Sequence, residues 1–112
     1  MTASENAKVV LLSTCPQDAA DGLARFLVEE RHAACVNIIP AVRSVYRWQG
    51  AIESATESLL VIKTTAAAAD ALTRALVERH PYSVPEVVGF AIDSGHAPYL
   101  DWIADETRGT ET

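Results

Sequence analysis

Basic residues are in short supply: nine Lys and Arg stand against fifteen Asp and Glu, a formal charge of -6 over 112 residues. No basic cluster exists to neutralise phosphates, so neither nucleic acid nor an anionic membrane is an expected partner. An acidic surface of this kind draws cations, weakly and without selectivity. No apolar run approaches the ~20 residues that cross a bilayer. The opening Met1–Lys8 is short and polar, so no signal peptide is expected. Cysteine is nearly absent, with only Cys15 and Cys35. They make no CxxC pair; the expectation is a cytoplasmic chain with two free thiols and no disulfide framework. GxSxG, P-loop, HExxH and GxGxxG motifs are all missing, and the chain is not read as an enzyme. Low-complexity sequence is confined to the alanines of Ala66–Ala69.

What is present is an ordinary globular balance, 49% hydrophobic and 21% charged, in a length that suits one domain. The chain is organised around Ala33 to Lys63, where two strand-like runs rich in Val, Ile, Leu, Tyr and Trp flank Gln49-Gly50. This is a β-hairpin pattern. Ala34 to Trp48, extended at ~3.3 Å per residue, would reach about 50 Å. A compact domain of this length is only about 35 Å across, so one end of the hairpin should project beyond its own domain. A two-stranded ribbon is marginal in water, yet the distal half carries Val42, Val45, Tyr46, Trp48 and Ile52. The economical cover is another copy of the chain. Pro40, tolerated at edges and bulges, fits either a continuous ribbon or a break into two strands. Two registers are open. A two-residue turn sets Arg47 opposite Ile52; a three-residue loop sets Trp48 opposite Ile52 and Arg43 opposite Glu57, which favours charge pairing.

The remaining elements follow from periodicity. Lys8–Ser13 is a continuous apolar run that suits a buried strand. A helix is expected over Pro16–Arg31, capped through Thr14 and Gln17, with Ala20, Leu23, Ala24, Leu27 and Val28 on its apolar face. A second helix runs over Ala66–His80 with Ala68, Ala69, Leu72, Ala75 and Leu76 as its stripe, and His80-Pro81 ends it. Val84–Ile92 is a fourth strand. Pro98 to Thr107 is a last helix whose apolar side is Tyr99, Leu100, Trp102 and Ile103. The order is β-α-β-β-α-β plus a helix: an α+β, ferredoxin-like βαββαβ sandwich with a long projecting β-hairpin. Residues 8–107 make the single domain, 1–7 a disordered tail and 108–112 a second tail. One sheet face lacks a cover, a second pointer to self-association.

The segments KVVLLSTCP, LVEERHAACVNIIPAVRSVYRWQGAI, LLVIKTT, HPYSVPEV and PYLDWI, in this order over about residues 8–105, resemble the divalent-cation tolerance protein CutA family. The resemblance implies a ferredoxin-like subunit in a tight homotrimer whose hairpins embrace neighbouring subunits. It implies a role in tolerance to copper and other divalent metals, with copper binding attributed to members. It also implies a trimer like that of nitrogen-regulatory signal proteins, whose ligands sit in clefts between subunits.

His80, in HPYSVPE at a helix end, matches an attributed copper ligand, and imidazole suits Cu(II). Its plainer role is to cap its own helix. Two other attributed ligands do not carry over: Ser13 stands in place of a Cys and Arg79 in place of a His. A lone His is a weak site. Glu86 is shared with the family and would supply an oxygen ligand near His80. Cys35 matches a family hallmark, although a buried Cys is ordinarily a small hydrophobe. The expected metal set is therefore His80, Glu86 and Cys35, holding copper or another divalent cation weakly. Cys15, at a helix N-terminus, is a candidate for a lowered pKa. Tyr82 and either Arg47 or Trp48, with Glu86, are candidates to line a cleft between subunits, Tyr46 and Trp48 are candidate interface anchors, and Lys63 is placed at a sheet edge or cleft rim.

Overall fold

The computed structural model describes residues 7–108; of the two expected tails, only Ala7 and Arg108 lie within this range. Strand β1 (Lys8–Cys15) leads through a 3-10 turn at Gln17–Ala19 into helix α1 (Ala20–Glu29). Strands β2 (Cys35–Trp48) and β3 (Ala51–Thr65) form the hairpin. Helix α2 (Ala66–Arg79), strand β4 (Val88–Ala91) and helix α3 (Ala97–Glu106) complete the chain. The strands form one antiparallel sheet in the order β2-β3-β1-β4.

Alternation decides which face each residue takes. Leu11, Ser13 and Cys15 of β1 and Leu60, Ile62 and Thr64 of β3 point under α1 and α2, where Leu23, Leu27, Leu72 and Leu76 meet them. Each of these leucines, removed from water, contributes roughly 1.5–3 kcal/mol. The opposite face carries Val10, Leu12, Leu59, Val61, Val88 and Phe90. Helix α3 covers only part of it. Tyr99 lies beside Cys35, and Arg31 Nη1 reaches the main chain and carboxylate of Glu106 at 3.2 and 3.5 Å. Val88 and Phe90 stay more than half exposed.

The hairpin is continuous and projects. β1 pairs with β3 from Ser58 to Thr65, so toward the tip beyond Ser58 the β2–β3 ribbon has no third strand among the described residues. The longest dimension is 45 Å, against 27 and 24 Å across. The register is the two-residue one: Arg47 faces Ile52 and Trp48 faces Ala51. Gln49 and Gly50 both have positive φ, 51° and 83°, the twist that matches flanking strands. Turn geometry therefore overrides the Arg43–Glu57 pairing; Glu57 faces Val42 instead. Pro40 sits in a bulge between Ile39 and Val42. Its carbonyl accepts from Ser58 Oγ at 2.8 Å and Gln17 Nε2 at 3.0 Å.

Several local expectations are corrected. Thr14 and Gln17 form no capping box; Thr14 belongs to β1, and no side chain caps the turn or α1. Thr65 caps α2, its Oγ1 accepting from Ala68 N at 3.2 Å. Helix α1 ends in a Schellman turn, with His32 N donating to Leu27 O and Arg31 N to Val28 O, and Arg31 in the left-handed region at φ 61°. β4 covers less than Val84–Ile92, because Val84–Val87 leaves the sheet to run toward the hairpin. On α3 only Ile103 is fully buried; Tyr99 and Trp102 stack on each other at 5.3 Å near the surface.

Candidate functional site

The projecting ribbon and the segment after α2 enclose a cleft of about 740 Å³. Thr14, Glu57, Tyr82, Glu86 and the strand Arg43–Tyr46 with Trp48 line it. The volume suits a small-molecule site. His80 ends α2 and is 7% exposed. Its Nδ1 accepts from Tyr82 N at 3.1 Å, so that nitrogen is unprotonated and Nε2 donates to Thr14 O at 2.9 Å. The imidazole thus fastens the Pro81–Glu86 segment to the end of β1 rather than capping its own helix. It stacks against Tyr82 at 4.8 Å between ring centroids. Tyr82 in turn donates its hydroxyl to Glu57 Oε1 at 2.6 Å, and Thr14 Oγ1 donates to Glu86 Oε1 at 3.2 Å.

The fold therefore brings His80 and Glu86 together, both bonded to Thr14. It does not bring Cys35. That residue lies four positions along and two strands across from Thr14, about 16 Å away at sheet spacings. Cys35 sits instead within 4.0 Å of Lys63 Nζ and 3.7 Å of Asn37 Oδ1, and Lys63 also donates to Asn37. Lys63 is on β3, which has a strand on either side, so it is not at a sheet edge, and it is not among the residues that line this cleft. Ser13 faces the helix-covered core, and its Oγ has no hydrogen-bond partner among the described residues. Arg79 lies over the Phe26 ring at 3.8 Å. Among the described residues no group of three or more His, Cys, Asp and Glu is placed to hold a metal ion. A closed copper site does not fit the residues of one chain, since both nitrogens of His80 already have backbone partners.

Glu57 escaped the sequence reading. It is 6% exposed, yet no Lys, Arg or His ion-pairs with it among the described residues. The signal for it was the turn: a two-residue register moves Arg43 off Glu57 and leaves the carboxylate without its cross-strand cation.

Burial pushes the Cys15 thiol up, with Glu57 and Asp18 adding to the rise, which corrects the expectation of a lowered pKa. Burial, then the hydrogen bond to Glu57, raises the Tyr82 phenol. Both acids hold their protons more tightly folded than unfolded, where they titrate from 9.0 and 10.0. Stability should be level up to about pH 9 and fall above it, as the unfolded chain sheds these protons first. Urea midpoints measured from pH 7 to 11 check this. Tyr82→Phe should flatten the decline above about pH 10, the phenol's reference value.

Comparison with known proteins agrees with this architecture. Residues 9–106 match the family described as CutA1 divalent ion tolerance protein. The divalent-cation tolerance protein CutA of Thermus thermophilus is 45% identical over 100 residues, covering 89% of this chain and 97% of that one. The human protein CutA is 44% identical over 96 residues, covering 85% of this chain and 54% of its own length. The solved Thermus thermophilus structure has a TM-score of 0.87, covering 90% of this chain and 99% of that one. The solved apo structure of the PII-like protein CutA of Nostoc has a TM-score of 0.85 at 33% identity, covering 89% of this chain and 97% of that one. With the family match spanning all four strands but for Lys8, and all three helices, the chain belongs to the CutA1 divalent ion tolerance protein family.

Proposed function

We propose that the chain is the subunit of a cytoplasmic homotrimer that serves tolerance of divalent metal ions, copper among them, by binding rather than by catalysis. The observation that carries the assembly is the uncovered apolar surface. Val88 and Phe90 on one sheet face, and Val45 and Ile52 on the arm, stay more than half exposed among the described residues. The strand order supports a ferredoxin-like subunit, and a ribbon lacking a third strand gains most from neighbouring copies. Family membership supports the metal-ion role. In this reading a divalent cation meets the cleft through Glu86 and Glu57, while His80 positions the segment that carries Glu86. Carboxylates suit hard or aquated cations, and so few protein ligands imply weak retention.

Native mass spectrometry with and without copper(II) tests both parts. The expected result is three copies of the chain, with metal bound weakly and less of it in Glu86→Gln. A monomer at micromolar concentration would overturn the assembly. Metal uptake identical in Glu86→Gln would overturn the placement. A second reading, a signalling trimer that takes a small metabolite, is favoured by the cleft itself, which is far larger than a metal ion requires.

A further inference from the structure

The cleft combines features that a metal site does not need. Three of its walls are aromatic, Tyr46, Trp48 and Tyr82, and its formal charge is net negative, with Glu57 and Glu86 against Arg43. Glu57 is more than nine-tenths buried. Its Oε1 takes the Tyr82 hydroxyl, and its other oxygen has no hydrogen-bond partner among the described residues. That second oxygen is still reached by water, because among the described residues Ser13 Oγ is the one buried side-chain polar atom without a partner, so it is free to face a cationic ligand in a cleft whose formal charge is negative. A compact dication would answer that charge, but it also demands several ligands at short, fixed distances. The described residues supply no such group.

A diffuse cation has different requirements. An alkylammonium or quaternary ammonium ion is weakly hydrated, is attracted to the faces of Trp and Tyr, and needs a carboxylate nearby rather than coordination. We infer that the cleft between the hairpin and the Pro81–Glu86 segment is a binding site for a small organic ammonium ion, with Glu57 as its counter-ion and Trp48, Tyr46 and Tyr82 as its aromatic walls. This names the ligand class for the small-metabolite reading and does not rest on the metal reading. His80 is a positioning residue for the site. Its bonds to Thr14 O and Tyr82 N hold the Tyr82 ring at a fixed place beside Glu57.

Trp48 lies in the cleft, whereas Trp102 is on α3, so Trp102→Phe leaves a single indole that reports on the site. The probe is tetramethylammonium chloride, with tert-butanol as its neutral isostere and sodium chloride matching ionic strength. The expected result is a saturable change in Trp48 fluorescence with tetramethylammonium alone, weakened at least tenfold by Glu57→Gln. Should Glu57→Gln fail to fold, Trp48→Leu in the otherwise native chain is read by calorimetry, and loss of the binding heat is expected. The inference is overturned by no saturable response, by an equal response to tert-butanol, by unchanged affinity in the folded variants, or by copper(II) binding where tetramethylammonium does not. Subunit number is read on the same sample by native mass spectrometry, so that loss of assembly and loss of binding are told apart.

Discussion

Gly89→Val is expected to unfold the chain or to lower its thermal midpoint by more than about 10 °C, as for a loss of roughly 3 kcal/mol in a domain of this size. Gly89 lies directly opposite Leu11 in the β1–β4 ladder, on the side facing the helices. Leu11 is buried and leans into the space where a side chain at 89 would stand. A Cβ there would overlap Leu11 Cδ2 and come within 2.8 Å of the Val10 carbonyl oxygen. The leucine methyl can turn aside at some cost, but the carbonyl belongs to the β1 backbone and cannot move without breaking the ladder. Gly89→Ala should show a smaller loss of the same kind, and Val the larger one. Differential scanning calorimetry of the three proteins checks the order. A midpoint for Gly89→Val equal to that of the native chain would contradict the close approach of the two strands.

Phe90→Glu, one residue on, should leave the subunit folded and abolish assembly. The side chain at 90 points to the opposite face and is 57% exposed within the single chain, so a carboxylate there stays in water while the subunit is alone. In the proposed trimer the same position is covered. One unpaired buried charge costs about 3–5 kcal/mol, and symmetry repeats it in every subunit. The trimer should therefore dissociate at micromolar concentration, with far-ultraviolet circular dichroism unchanged. Sedimentation velocity reads the mass directly. A trimer that survives the substitution would show that this face is not the one copies share.

Adjacent residues of one short strand thus have unrelated roles, because a strand turns successive side chains to opposite faces. The same period explains how much of the site was legible. Thr14 and Glu86 carry a hydrogen bond 72 residues apart in sequence, and only the neighbourhood of β1, the end of α2 and the ribbon brings them together. His80 was singled out from its motif, but its motif gave no sign that both ring nitrogens would be spent on backbone groups. Cys35 was placed with His80 by family likeness, whereas the β2–β3–β1 pairing carries it to the far end of the face. Glu57 lies in a charged stretch, ESATES, where nothing distinguishes it from its exposed neighbours until the register is known.

Composition and periodicity alone determined the element order, the apolar faces of α1 and α2, and the mismatch between a long hairpin and a small domain. These depend on local pattern, which residue spacing records. The hairpin register, the bulge at Pro40, the raised thiol of Cys15 and the pairing of Glu57 with Tyr82 were decided by the tertiary structure. Each depends on which strand lies beside which and at what offset. A one-residue change in that offset moves every side chain to the other face, and no single stretch of sequence carries it.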